Sequence, residues 1–399
     1  MSNLRRIFVV GAGTMGHGIA EVAALKGFEV VLYDVKQEFL DGAISKIKWS
    51  LDKLAEKGTI RSTSEILSRI TTTLDLESGA SKADFVVEAA PERMEVKRDI
   101  FSKLDRNARP GIVLATNTSS LPITEVSESV SAPRRGYIVG MHFFNPPVVM
   151  QLVEVVRGKH TSDEAVRITY ELATALGKQP VLVKQDVPGF IVNRVMNRFL
   201  NTACLMAEKG LYRVEEIDAT TRYKLGMPMG AFELSDYIGI DVIDDILRAM
   251  LARGFSVTPC GLYSNLHAAG KLGVKSGQGF YTHPGSKFRR PELSQSLAER
   301  VDPVLLIAPA INEAAYLLRE GVASRDDIDK AIRLGLNYPR GIFEYADSYG
   351  VDSTVSALKR LKEVLGLREY EPDPLLVRML QDGKLGVKSG EGFYAHKAG

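Results

Sequence analysis

The sequence predicts an α/β protein, a doubly wound parallel-sheet domain at the N terminus followed by two tandem all-α helical modules. Three observations carry this reading. Short apolar runs alternate with helix-length polar stretches over roughly the first 180 residues, long helix-like segments replace strands from Gly189 onward, and one segment of the helical part recurs nearly unchanged. In chain order, Ile7 to Val10, Val30 to Tyr33, Phe85 to Glu88, Ile112 to Ala115 and Tyr137 to Met141 are continuous apolar runs, as expected of strands buried on both faces of a parallel sheet. Between them Gly16 to Lys26, Glu38 to Glu56 and Glu95 to Leu104 have helical spacing, which makes repeated βαβ units. Phe190 to Lys209 and Glu215 to Lys224 then read as the first helices of the second part.

The recurring segment runs from Lys271 to Tyr281, KLGVKSGQGFY, and again from Lys384 to Tyr394 with one difference, at an offset of 113 residues. Upstream, Ile217-Asp218 matches Ile328-Asp329, and the stretch from Pro228 to Glu233 matches that from Pro339 to Glu344, both at an offset of 111. Three ordered matches at nearly one offset imply two copies of a helical module. The period is too long for a solenoid, so the copies are expected to pair. The predicted division is 1–186 for the sheet domain, 187–283 for the first helical copy, 284–299 for a polar linker, and 300–399 for the second copy.

Composition narrows the function classes. The 399 residues are 45% hydrophobic and 25% charged, and 51 basic against 49 acidic side chains leave a net charge of +2. That balance gives no electrostatic case for nucleic acid or an anionic membrane as partner. Cys204 and Cys260, with no CxxC and no Cys/His cluster, argue against a disulfide framework, a zinc site or an iron-sulfur cluster, and fit a reducing cytoplasm. The start, Met1 to Arg6, runs into only four apolar residues before Gly11, too few for a signal-peptide core, and no apolar run reaches 18 residues. A soluble, cytoplasmic protein without a metal is the expectation.

Gly11-Ala12-Gly13-Thr14-Met15-Gly16 follows the first strand and opens the first helix. The first glycine permits the tight turn, the second lets backbone approach a pyrophosphate, and the third lets helix and strand pack closely. The second strand ends in Asp34, where a carboxylate can accept a hydrogen bond from an adenosine ribose and would repel a 2′-phosphate. This is a Rossmann-type pattern that favours NAD over NADP.

His142 ends a predicted strand in Met141-His-Phe-Phe-Asn145-Pro-Pro147, and Glu154 lies within the apolar run Leu152 to Val156. An ionised glutamate there is expensive unless something pairs with it. Two strands joined by the Asn-Pro-Pro segment can bring the side chains together, and a carboxylate on one imidazole nitrogen prepares the other as a general base. The pattern leaves open a core histidine beside an unrelated, outward-facing glutamate. Thr116 to Ser120 follow a strand whose carboxyl end faces the ligand crevice, so these hydroxyls are placed either to bind substrate or to cap a turn. Asn193 enters the first long helix and is either a ligand group or structural. Lys46, Ser50, Lys53 and Lys57 share one helix face, which suits phosphates or plain solvation.

Together, GAGTMGHGIA at 11–20, ATNTSSL at 115–121, HFFNP at 142–146, LVEVV at 152–156 and DVPGFIVNR at 186–194 resemble the 3-hydroxyacyl-CoA dehydrogenase family, over nearly the whole chain. The resemblance implies NAD-dependent oxidation of L-3-hydroxyacyl-CoA to 3-ketoacyl-CoA, as in 3-hydroxybutyryl-CoA dehydrogenases of fatty-acid metabolism. It implies His142 as general base, Glu154 as its orienting partner, and Ser119 and Asn193 as groups that hold the reacting oxygen. It further implies Glu92, Lys97, Asn117, Ser119, Asn145 and Lys275 as cofactor contacts. Ser50 and Lys57 are implied as coenzyme A contacts, with Ser119 and Asn145 lining the substrate. Against the short members of the family, this chain carries a second helical copy in which Val304 stands opposite Asn193. That copy reads as a non-catalytic pseudo-dimer partner. It predicts a monomer, or an oligomer made through another surface, with association with an enoyl-CoA hydratase left open. The alternative from another class is a non-catalytic nucleotide-binding structural or regulatory protein of the same fold, against which the intact residue set argues.

Overall fold

The computed structural model describes residues 4–396, so Met1 to Asn3 at the start and Lys397 to Gly399 of the second helical copy lie outside it. The chain divides into two compact units, Met1–Phe190 and Ile191–Gly399. The first begins β1 (Arg6–Val10), α1 (Thr14–Leu25), β2 (Glu29–Tyr33), α2 (Gln37–Glu56), α3 (Thr63–Leu67) and β3 (Ile70–Thr73). It continues α4 (Leu76–Lys82), β4 (Phe85–Glu88), α5 (Met94–Asn107), β5 (Val113–Thr116) and α6 (Ile123–Ser127), and ends β6 (Ile138–Phe143), β7 (Leu152–Val156), α7 (Asp163–Ala175) and β8 (Gln179–Val183).

The eight strands form one sheet in the order β3-β2-β1-β4-β5-β6-β7-β8, parallel throughout except where β6 meets β7. Its central strands are buried along their length, Phe85–Glu88 and Val113–Thr116 among them, which is why they read as continuous apolar runs. Two strands escape the apolar-run rule. In β3, Thr71 and Thr72 are exposed at the sheet edge, and β8 opens on an exposed Gln179 at the other edge. Only their pairing with β2 and β7 identifies them.

The second unit is helical: α8 (Val192–Glu208), α9 (Val214–Tyr223), α10 (Ala231–Ile238), α11 (Ile240–Leu251) and α12 (Gly261–Ala268), then α13 (Pro303–Arg319), α14 (Arg325–Leu336), α15 (Ile342–Tyr349), α16 (Val351–Leu365) and α17 (Pro374–Gln381). Helix α8 becomes α13, and α10 becomes α15, by adding 111 to both ends; α12 becomes α17 by adding 113. The two extra residues therefore enter between α15 and α17, where α16 is itself longer than its counterpart α11.

The repeated sequence motifs are two hydrogen-bonded devices, each built on a buried aspartate. Asp218 accepts the backbone N–H of Phe232 (2.8 Å) and Glu233 (3.0 Å) and the Tyr281 hydroxyl (2.9 Å). Asp329 does the same with Phe343, Glu344 and Tyr394. A side chain at Gly230 or Gly341 would collide with that aspartate, its Cβ falling 2.2 Å from the carboxyl carbon. Asp236 in turn accepts the N–H of Phe280 and Tyr281 and bonds His283, and Asp347 accepts those of Phe393 and Tyr394 and bonds His396. Buried N–H groups and carboxylates satisfy one another here, so the motif is retained as a unit.

One expectation is corrected. Cys204 and Cys260 form a disulfide with Cα atoms 5.9 Å apart. Their separation of 56 residues hides a tertiary neighbourhood. The Asn201 side chain on α8 donates to Thr258 O (2.7 Å) and accepts from Cys260 N (2.9 Å), laying that segment against the helix. Asn312 makes the equivalent pair with Glu371 O and Asp373 N, but the cysteine positions there are Ala315 and Asp373. Cysteine usage thus gives no support to a reducing compartment. Among the described residues no helix is long and apolar enough to cross a membrane.

The two copies meet along α8 and α13 through a buried charge cluster. Glu313 binds Arg194 and accepts from Arg198 Nε (3.0 Å) and Nη2 (2.8 Å), while Arg198 also reaches Glu369 (3.4 Å). Burial pushes the Glu313 carboxyl up, but the Arg198 and Arg194 guanidiniums outweigh it and hold the group below the usual carboxylate range. Glu313→Ala should destabilise the protein by about 3–5 kcal/mol, because both arginines lose their bonds to Glu313 in a dry interface and Arg198 keeps only the longer Glu369 ion pair. Urea unfolding checks this, and a loss below about 1 kcal/mol would show the cluster to be dispensable.

Candidate active site

The glycine loop joins β1 to α1. Gly11 has a φ of +108°, and a Cβ there would lie 2.6 Å from Ala89 O; one at Gly16 would lie 1.7 Å from Gly11 O. Gly13 differs, because its missing Cβ faces open space beside the uncapped first turn of α1. The first and third glycines serve packing, and the second leaves a place where backbone can approach a phosphate. Asp34 ties the loop down, accepting from Ala12 N and Val35 N, both at 2.7 Å. Ala12 is buried, Thr14 exposed and Met15 half-buried beside them. These residues fit a dinucleotide.

Along the same carboxyl edge of the sheet, β6 delivers His142. The antiparallel register sets His142 directly opposite Glu154 of β7, and Nδ1 lies 2.7 Å from Glu154 Oε2. Glu154 is fully buried and His142 nearly so. The carboxylate fixes the tautomer by holding the proton on Nδ1, which leaves the Nε2 lone pair free to accept. Ser119 Oγ stands 3.1 Å from that Nε2. Phe144 packs on the imidazole at 4.6 Å between centroids and Phe190 at 5.8 Å, giving the ring apolar walls. Phe190, the last residue of this unit, has a φ of +52°, a left-handed conformation uncommon for a bulky side chain.

Of the hydroxyls at 116–120, Ser119 is the one that meets His142. Thr116 donates to Glu88 (2.6 Å) and Thr118 to Glu92 (2.6 Å). The amides of Ser119 (2.8 Å) and Ser120 (2.9 Å) also donate to Glu92. Lys97 is buried on α5 and bonds both oxygens of Glu88, at 2.8 and 3.0 Å, with Glu92 at 3.4 Å. Burial pushes Glu92 up, but the Lys97 ammonium and the Thr118, Ser120 and Ser119 donors prevail and hold its carboxyl below the ordinary range. Asn117 Oδ1 accepts from Phe143 N at 2.8 Å, pinning the loop to the end of β6. Glu92, Lys97 and Asn117 therefore build the frame that aims Ser119. Glu88 is the member that sequence reasoning missed, since it looked like one more residue of a buried strand.

Asn145 is exposed in the segment joining β6 to β7. That segment is held by two residues the sequence did not single out. Gly18 of α1 admits Pro147, whose Cδ would lie 2.9 Å from an added Cβ, and Lys178 donates to Pro147 O and to Met150 O (2.9 Å). Ser50 is half-buried on α2 and Lys57 is exposed at its C-cap. In the second unit, Asn193 is buried in the first turn of α8. Lys275 forms an ion pair with Asp241, and Lys388 forms the same pair with Asp352 in the other copy. Lys275 thus has a charged partner within its own module.

Comparison with known proteins agrees with this construction. The profile described as "3-hydroxyacyl-CoA dehydrogenase, NAD binding domain" matches residues 6–187, and the corresponding "C-terminal domain" profile matches 189–283 and again 305–396. A probable 3-hydroxybutyryl-CoA dehydrogenase of Deinococcus radiodurans is 44% identical over 279 residues, covering 69% of this chain and 99% of its own. The 3-hydroxyadipyl-CoA dehydrogenase of Escherichia coli is 33% identical over 94% of this chain and 97% of its own. The crystal structure of 3-hydroxybutyryl-CoA dehydrogenase from Escherichia coli superposes with a TM-score of 0.87 at 32% identity, covering 96% and 99% of the two chains.

Asp34→Ala removes the acceptor that ties the loop and that the Rossmann-type pattern assigns to a ribose hydroxyl. NADH affinity should fall about tenfold or more, while NADPH, freed of the repulsion, is spared. Fluorescence titration with both nucleotides checks this, and unchanged NADH affinity would remove Asp34 from the site.

Proposed function

Since the chain belongs to the 3-hydroxyacyl-CoA dehydrogenase family, we propose that it interconverts L-3-hydroxyacyl-CoA and 3-ketoacyl-CoA with NAD at the His142–Glu154 pair. One observation carries the assignment. A single buried imidazole has a carboxylate on one nitrogen and a serine hydroxyl on the other. NAD, when bound along Gly11 to Gly16, supplies the hydride acceptor for carbon 3. His142 Nε2 takes the hydroxyl proton as the hydride leaves, and returns it in the reverse direction. Glu154 keeps the ring in the one tautomer that can do this. Ser119, within reach of the same nitrogen, holds the substrate oxygen.

Asn193 is assigned to the same oxygen, Asn145 to cofactor and substrate, and Ser50 with Lys57 to the coenzyme A end, on family resemblance together with their places on these elements. The aromatic walls of His142 and the buried Glu154 also favour catalysis over a purely nucleotide-binding role, because they leave Nε2 with only a serine hydroxyl, a partner that a substrate oxygen can join.

With acetoacetyl-CoA, NADH absorbance at 340 nm should fall rapidly, and with free acetoacetate or NADPH it should not. A longer dicarboxylic 3-ketoacyl thioester tests the size of the acyl group. His142→Gln should lower kcat by about 10²–10⁴-fold with NADH affinity kept. Near-normal turnover in that variant, or no turnover of any 3-ketoacyl-CoA by the parent enzyme, would sink the mechanism.

The second helical copy carries the repeated clips but has Val304 where the first has Asn193. We infer that it fills the place of a partner's module, so that the chain acts as a monomer or forms an oligomer through another surface. Sedimentation equilibrium should give the mass of one chain; a stable dimer made through the first helical module would refute this.

A further inference from the structure

The outer face of α2 presents an aromatic and basic stripe that neither the sheet nor the proton-transfer machinery uses. The helix buries Leu40, Ala43, Ile47 and Leu51 and turns the opposite side to solvent. On that side lies Trp49, the one tryptophan of the chain, 66% exposed. An indole left in water contributes little to folding. Lys46 precedes it by three residues and Lys53 follows by four, so all three share a face. Lys53 is engaged by Glu56 at 2.7 Å, whereas Lys46 and Lys57 make no ion pair among the described residues. Beside Trp49, Ser50 is half-buried on the same helix.

We propose that Trp49 is the stacking platform for the adenine of coenzyme A, with Lys46 and Lys57 neutralising its phosphates. The inference rests on the thioester reading above and gives it a specificity residue. A flat π-face exposed between cations is complementary to a phosphorylated purine, and base stacking on an aromatic side chain tolerates the mobility of a surface site. The adenine of NAD is a different one. Asp34 precedes the helix, and Trp49 lies twelve residues into it, about 18 Å along its axis, out of reach of an adenosine held at Asp34.

Because Trp49 is unique, its emission reports the site directly. Coenzyme A, and 3′-phosphoadenosine diphosphate without the pantetheine arm, should each quench it saturably, and pantetheine alone should not. Trp49→Ala should raise KM for acetoacetyl-CoA about tenfold with kcat within twofold, and Trp49→Phe should recover part of the loss. KM for acetoacetyl-N-acetylcysteamine, which lacks the nucleotide, and Kd for NADH should stay at the parent values. Lys46→Met should raise KM for acetoacetyl-CoA more than for its dephospho form. An equal rise in KM for both thioesters would mean a structural role and overturn the proposal, as would emission indifferent to coenzyme A. If the parent enzyme turns over acetoacetyl-CoA but Trp49→Ala leaves KM alone, this inference fails and the dehydrogenase reading stands. Quenching by coenzyme A without turnover of any thioester would instead support the stacking site and overturn the dehydrogenase reading.

Discussion

A fully buried carboxylate needs a partner, and the first unit is arranged around supplying one. Glu154 sits in the middle of an apolar strand where an unpaired charge would be costly. The one antiparallel step of the sheet puts His142 directly across from it. With Nδ1 occupied, the imidazole has a single free nitrogen, and the loop after β5 brings Ser119 to it. That loop does not hold itself. Glu92 gathers Thr118, Ser119 and Ser120, and Lys97 and Glu88 secure it from beneath.

The nucleotide loop and the catalytic segment are parts of the same packing. Gly18, two residues along α1 from the glycine motif, is the space into which Pro147 fits. Lys178 then fastens the other side of the segment through two carbonyls. Burial pulls the Lys178 ammonium down to about 8. Its tie to the carbonyls therefore weakens at alkaline pH, where the amine becomes neutral.

The helical unit shows which residues of a duplicated module are constrained by their own fold and which by their neighbour. The aspartate clips occur in both copies because each satisfies buried N–H groups within its own module. Positions on the shared helix pair have diverged. Arg194 and Arg198 face Glu313, while their counterparts are Leu305 and Pro309 and that of Glu313 is Thr202. An interface between identical modules must satisfy one set of residues twice; inside one chain, each side can specialise.

What the sequence determined by itself was local. Continuous apolar runs marked the central strands, the glycine spacing marked the turn at Gly11 to Gly16, and the offsets of 111 and 113 marked a duplication, because each depends on residues near one another along the chain. The sequence also supplied His142, Glu154 and Ser119 as candidates, through the chemistry of their positions and family resemblance. Only the tertiary structure decided which groups meet. It set His142 against Glu154 by strand register, placed Lys97 on a Glu88 that looked like core, joined Cys204 to Cys260 across 56 residues, and recruited the polar edge strand β3. Those choices depend on partners that no local pattern names, since burial and hydrogen-bond satisfaction are properties of the packed chain rather than of any one segment.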